Sequence, residues 1–329
     1  MKVISAEDVR VALPMKDCIE RMKTAFATLV QGKADIPLRT RITIPDQNAV
    51  SFFMPAYVEN DHNNALTIKI VSLFPKNPEK GMDLIQAAVL VMDPDTGKPL
   101  ALMEGNSLTA IRTGAASGAA TDLLAKKECH VGAIFGAGIQ GRYQLEAICA
   151  VRNLDSIWLY DIHRSKIDSL INQLDGVRNI PKDIQAADNP SQAIREADII
   201  CCATTSMNPV FNDEDLKAGV HINAIGSFTP EMQEVPSETI CRSMVVVDSR
   251  SSTLVETGDL IIPIQQGLIR EDQIHAELGE IILQEKPGRT SDDQITYFKS
   301  VGIAAQDALA SQLVLKNSDI LKLGRIVPF

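Results

Sequence analysis

Three glycines, Gly136, Gly138 and Gly141, stand in the spacing G-x-G-x-x-G within "VGAIFGAGIQGRYQLEAI", residues 131–148. The chemistry open to that spacing is phosphate binding. The first glycine permits a tight turn, the second lets backbone approach a pyrophosphate, and the third lets a helix pack on the preceding strand. The amides around Ala137, Ile139 and Gln140 then lie at a helix N-terminus, where N–H groups face an anion. The motif is weak alone, but its setting agrees: an apolar strand-like run, "HVGAIF", precedes it and a helical run follows. Asp161 ends the next strand-like run, "SIWLYD", 25 residues after Gly136. A carboxylate there can hydrogen-bond both ribose hydroxyls of NAD and repel a 2′-phosphate. His163 and Arg164 follow closely and keep NADP open, so the expected cofactor is NAD(H) or NADP(H). Thr204, Thr205, Asn223 and Gly226 fall at the ends of two later strand-like runs, on the side where such a fold binds its ligand.

These residues need a scaffold, and its rhythm is legible from residue 131 onward. "HVGAIF", "SIWLYD", "ADIICCAT", "GVHINAIG" and "SMVVVDS" read as strands, separated by helical runs such as residues 164–174. That alternation predicts a doubly wound parallel sheet. The first 104 residues behave differently. Ser5 caps a short helix and Pro14 opens a second, with Ile19, Met22, Phe26 and Leu29 at helical spacing. "RTRITI", "VSFFMPAYV" and "LTIKIVSLF" follow as strands, and residues 84–104 read as a hairpin around "DPDTGKP". This predicts an antiparallel-type sheet. A helix then opens at Ser107, and its seven consecutive small residues, 114–120, demand close packing, because glycine is otherwise costly in a helix. A last helix, about 303–316, is expected to return to the first domain.

The chain has 329 residues, 45% of them hydrophobic, which is enough for two cores. Its formal charge of -10 argues against nucleic-acid binding. No run reaches the roughly 18 apolar residues of a membrane span, and the start lacks a signal-peptide core. A cytoplasmic protein with no membrane partner is expected. The six cysteines form no C-x-x-C pair and lack a histidine cluster, so buried free thiols and no metal are expected.

Nearly the whole chain resembles the ornithine cyclodeaminase and mu-crystallin family. The resemblance rests on "PLRTRI", "MPAY", "LTIKIVSLFPKNPEKG", "DPDTGKPLALMEGNSLTAIRTGAASGAAT", "FGAGIQG", "INAIGSFTPEMQEV" and "GIAAQDA". It implies a Rossmann doubly wound sheet (119–302) inserted into an α+β substrate-binding and dimerisation domain (1–118 plus 303–329). It implies a homodimer, and a small imino or keto acid as substrate. It also implies that Arg39, Lys69 and Arg112 hold the substrate carboxylate, with Lys69 polarising or protonating the reacting C=N or C=O.

The residues themselves are compatible with those roles. Alternation along "LTIKIVS" puts Leu66, Ile68 and Ile70 on one face and Lys69 with Thr67 and Val71 on the other. Arg112 adjoins the small-residue run, and a guanidinium can grip a carboxylate with two hydrogen bonds. Plainer readings stand beside these: a solvated Lys69, an internal ion pair for Arg112, and a surface Arg39 with Arg41 as its substitute.

One position departs from the family pattern. Cyclodeaminases carry an acid where Phe228 stands here, and a phenyl ring cannot anchor an ammonium or take a proton. The resemblance therefore implies reduction of a cyclic imine such as Δ1-pyrroline-2-carboxylate to L-proline, with Phe228 walling the ring. Alanine dehydrogenase, ornithine cyclodeaminase and a mu-crystallin-like binder of NADPH and a small ligand are the alternatives.

Overall fold

The computed structural model describes residues 1–60 and 63–328. It divides into two compact units: Met1–Arg112 with Ile303–Phe329, and Thr113–Gly302.

The first unit begins with β1 (Lys2–Ile4), α1 (Ala6–Ala12) and α2 (Met15–Val30). Ser5 caps α1 through a reciprocal box with Asp8. The strands β2 (Ala34–Asp35), β3 (Thr40–Ile44), β4 (Ala49–Val58), β5 (Ala65–Leu73), β6 (Ile85–Met92) and β7 (Pro99–Glu104) follow. β3 to β7 pair antiparallel in sequence order, whereas β1 joins β7 in parallel. The β6–β7 hairpin turns on Asp93, whose carboxylate accepts from the N–H groups of Asp95 and Thr96.

α3 (Gly105–Leu124) starts two residues before Ser107. Glu104 is the reason: its carboxylate oxygens accept from the N–H groups of Asn106 and Ser107 at 2.7 and 2.9 Å, doing the work of a helix cap.

The second unit contains β8 (Val131–Phe135), α4 (Ile139–Val151), β9 (Ser156–Tyr160), α5 (Arg164–Leu174), β10 (Asp183–Ala186), α6 (Pro190–Ile194) and β11 (Ile199–Cys202). It continues with β12 (His221–Ala224), α7 (Ser237–Cys241), β13 (Met244–Val247), α8 (Arg250–Glu256), α9 (Gly258–Gln265), β14 (Ala276–Glu277), α10 (Leu278–Ile282) and β15 (Thr296–Lys299). All of its strand pairs are parallel, in the order β10-β9-β8-β11-β12-β15-β13-β14.

Both faces of this sheet are covered. Ile199 and Cys201 pack into one core cluster, and Ile200 and Cys202 into the other. The small-residue stretch of α3 belongs here too. A Cβ on Gly114 would lie 2.4 Å from the carbonyl oxygen of Tyr143 on α4, so only glycine lets the two helices meet this closely.

The chain ends in α11 (Ala304–Ile320) and β16 (Arg325–Ile326), both in the first unit. α11 runs four residues beyond the expected Lys316. It packs on β4, β5 and α2 and covers one face of the antiparallel sheet. That face buries Ala65, Thr67 and Lys69, while Leu66, Ile68 and Ile70 point to the other. On the uncovered face Val3, Leu102, Leu90, Ile68 and Pro55 form one cross-strand row. Val3 and Leu102 are each 37% exposed, and Ile70 is 38% exposed.

Candidate active site

β5 carries Lys69 into the covered face, α3 supplies Arg112, and the first turn of α11 supplies Gln306 and Asp307. Lys69, Arg112 and Asp307 are 2%, 5% and 1% exposed. One carboxylate serves both cations. Lys69 Nζ lies 2.6 Å from Asp307 Oδ2, and Arg112 Nε donates to Oδ1 at 2.9 Å. Arg112 Nη1 donates to Gln306 Oε1 at 2.7 Å, while its Nη2 makes no hydrogen bond among the described residues. The helix N-terminus favours an anion at Asp307.

Burial is the main cause that lowers the Lys69 ammonium to about 8; Arg112 lowers it further and Asp307 opposes the shift. Arg39 acts in the same direction as Arg112, so its charge reaches Lys69. Its guanidinium also lies over the Phe52 ring, 5.7 Å from the centroid. The structure thus brings the three expected cations together. It adds Asp307 and Gln306, which the sequence reading passed over; their signal was an acid and an amide in the otherwise apolar "GIAAQDA".

In the second unit, the loop after β8 sits at the point where strand order reverses between β8 and β11. This is where open α/β sheets bind ligands. Gly136 has φ +93°, and a Cβ there would meet the Ala203 carbonyl oxygen at 2.6 Å. A Cβ on Gly141 would lie 1.9 Å from the Gly136 oxygen, so α4 can seat only on glycine. At Gly138 a Cβ would enter open space, which is the room a phosphate needs. Ile139 and Gln140 form the first turn of α4.

Asp161 follows β9. One of its oxygens accepts from Ala137 N at 2.9 Å and the other from His163 N at 2.8 Å, which ties this acid to the glycine loop. Arg164 turns to Asp168 and Asp188, at 3.3 and 3.9 Å. These features fit a dinucleotide with free ribose hydroxyls.

Thr204 and Thr205 follow β11, and Gly226 follows β12. Asn223 lies inside β12, fully buried, with its amide donating to Thr121 Oγ1 at 2.9 Å and its oxygen 3.2 Å from His221 Nε2. Burial holds that histidine near 3, so the network is neutral and internal. Phe228, on the loop after β12, is 45% exposed.

Glu231 is exposed, whereas Glu234 is fully buried and accepts from four donors, Thr204 N, Thr204 Oγ1, Gly226 N and Ser227 N. Burial pushes the Glu234 carboxyl up; Lys299 pulls against that shift, as do the Thr204 donors.

A doubly wound parallel sheet with a glycine loop at its switch point and an acid at the next strand end defines a Rossmann-type dinucleotide-binding protein. The chain belongs to the ornithine cyclodeaminase/mu-crystallin family, which it matches over residues 1–319. It is 39% identical over 330 residues to Δ1-pyrroline-2-carboxylate reductase of Bacillus cereus, across all of both chains. Among solved structures it is similar to Thermococcus litoralis Δ1-pyrroline-2-carboxylate reductase in complex with NADH and L-proline. That match has a TM-score of 0.94 and 41% identity, covering 99% of this chain and 100% of the other. It is also similar to an archaeal alanine dehydrogenase dimer with bound NAD, at TM-score 0.92 and 29% identity, covering 100% of this chain and 99% of the other.

Removing the shared carboxylate tests the electrostatics of the cluster. In Asp307→Asn the Lys69 ammonium is expected to titrate below its wild-type value near 8, because the one group that raises it is gone. The fold should lose about 3–5 kcal/mol, as when one partner leaves a buried pair. Nitrogen-detected NMR of the lysine ammonium and urea unfolding would measure the two effects; an unchanged Lys69 titration would contradict this geometry.

Proposed function

We propose that this chain reduces Δ1-pyrroline-2-carboxylate to L-proline with NADH or NADPH. The family membership and the named relatives support the reaction. The observation that carries it is the buried cluster in which Lys69 and Arg112 share the Asp307 carboxylate. Lys69 and Arg112 are two buried cations on one carboxylate, which leaves one positive charge in excess. A substrate carboxylate offsets that excess, and Arg112 Nη2 offers it an N–H donor.

When bound, the reduced nicotinamide supplies a hydride to the imine carbon. Lys69 supplies the proton to the imine nitrogen: with its ammonium near 8, it is mostly charged at neutral pH and still a competent acid. Asp307 fixes its position through the ion pair. The C=N bond becomes a C–N single bond carrying one new C–H and one new N–H. A cyclic imine needs no separate anchor for its nitrogen. Phe228, standing where cyclodeaminases carry an acid, serves as an apolar wall and not as a base.

In this reading Met1–Arg112 with Ile303–Phe329 binds substrate and forms a homodimer, and Thr113–Gly302 binds the dinucleotide, a boundary six residues earlier than the expected residue 118. Gly136, Ala137, Gly138, Ile139, Gln140 and Gly141 hold the pyrophosphate, Asp161 the adenosine ribose, and Thr204, Thr205 and Gly226 the remaining half. The apolar row through Ile68 and Leu102 supports the homodimer, and the archaeal alanine dehydrogenase relative is a dimer. Free thiols at all six cysteines support a reducing, cytoplasmic setting. No helix among the described residues is long and apolar enough to cross a membrane.

A substrate panel followed at the nicotinamide absorbance tests the reaction. Δ1-pyrroline-2-carboxylate should be reduced, pyruvate with ammonia should react far more slowly, and ornithine with NAD should release no ammonia. Turnover of the imine should fall as pH rises through about 8, because the proton donor exists below that pH and is lost above it. Faster turnover of pyruvate with ammonia, or a rate flat across that range, would overturn the reading. Separately, Ile68→Asp should convert the homodimer into a monomer in sedimentation, since burying an unpaired carboxylate in an apolar interface costs several kcal/mol. A monomeric wild type would rule the dimer out.

A further inference from the structure

We propose that Glu234 is a positioning residue for the nicotinamide half of the dinucleotide, acting by clamping together the loops that follow β11 and β12. The inference rests on the dinucleotide reading above and extends it to a residue outside the glycine motif.

The two loops come from separate strands, and a single side chain ties them. Glu234 Oε1 accepts from Thr204 N at 2.6 Å and from Thr204 Oγ1 at 2.7 Å. Oε2 accepts from Gly226 N at 2.6 Å and from Ser227 N at 3.0 Å. Thr204 begins the β11 loop, and Gly226 and Ser227 belong to the β12 loop. The loops also touch directly: a Cβ on Gly226 would lie 2.0 Å from the Thr204 carbonyl oxygen.

The clamp is itself held from below. Glu234 N and Val235 N donate to Asp259 Oδ1 at 2.7 and 3.2 Å, and Asp259 Oδ2 accepts from Lys299 Nζ at 3.0 Å. Glu234, Asp259 and Lys299 are all fully buried. Three ionisable side chains in a core are expensive, and a surface loop needs no such support to stay folded.

Strand order says what the loops serve. Asp161 marks the adenosine side at β9, and the glycine loop marks the pyrophosphate at β8. A dinucleotide laid across the crevice continues to the opposite side of β8, onto β11 and β12. The clamped loops therefore flank the nicotinamide end. With four donors converging on its carboxylate, Glu234 is not available as a general base. Its effect is to fix where Thr204 and Gly226 stand.

The test compares two ligands on one variant. Wild type and Glu234→Gln are titrated with NADH, followed by nicotinamide fluorescence, and with ADP, followed by calorimetry. ADP carries only the adenine half. In Glu234→Gln the amide N–H replaces an acceptor among Thr204 N, Gly226 N and Ser227 N, three backbone groups that can only donate. NADH affinity should then fall roughly tenfold to a hundredfold, the worth of one or two hydrogen bonds to a charged group. ADP affinity should stay within about twofold, and kcat should fall as well. Equal losses for both ligands would mean a general structural role, and no loss for either would mean no role; each overturns the proposal. If Glu234→Gln does not fold, Thr204→Val removes one of the four donors and should weaken NADH alone, by several-fold; parallel losses or none would again refute it. A wild type that binds no NADH would instead refute the dinucleotide reading itself.

Discussion

Two buried cations sharing one carboxylate is the arrangement on which the rest of the first unit depends. Lys69 and Arg112 would repel each other without Asp307, and Asp307 without them would be a buried carboxylate with no counter-charge. Each comes from a different element: β5, α3 and α11. The antiparallel sheet must bury the face bearing Lys69, α11 must return to cover it, and α3 must start early enough to deliver Arg112. Glu104, capping α3 from the end of β7, secures that last condition. The cluster retains a positive excess, which the carboxylate of the proposed substrate would relieve. Binding and folding thus draw on the same charges.

The second unit solves a different problem, which is to bring backbone close to a polyanion. Gly136 and Gly141 are required by contacts within the protein, with carbonyl oxygens of Ala203 and Gly136 filling the space of a Cβ. Gly138 is different, because nothing in the protein crowds it. The motif therefore separates into two glycines that build the loop and one that leaves room. Asp161, bonded to Ala137 N, joins the loop to the adjoining strand end, so that on the proposed reading one contact links the ribose and phosphate sites.

Much of this was legible in the sequence. The parallel sheet, the glycine loop, Asp161 and the helix Arg164–Leu174 follow from local patterns, because strand, turn and helix there each have their own signal. Alternation also placed Lys69 opposite Ile68 and Ile70, but could not say which face the protein covers. The answer was the less obvious one, since the apolar face is partly exposed and the charged residue is buried. Asp307 was out of reach because its partner Arg112 is 195 positions away. The start of α3 was misplaced because its cap is a strand residue, Glu104, rather than Ser107. Asn223 read as a strand-end residue, yet it sits one position before the end of β12, in a buried network with His221 and Thr121. Glu234 gave no local sign that it joins its own loop, through Gly226 and Ser227, to Thr204 on the loop after β11.

The central claim is that buried positive charge recognises the carboxylate of a flat five-membered ring. Binding of pyrrole-2-carboxylate and of pyrrole-2-carboxamide to the protein saturated with NADH would test it most directly, because the two differ in charge and hardly in shape. The account predicts that the carboxylate binds at least about a hundredfold more tightly, the worth of a charge-assisted, partly desolvated contact. Equal affinities for the two compounds would contradict it.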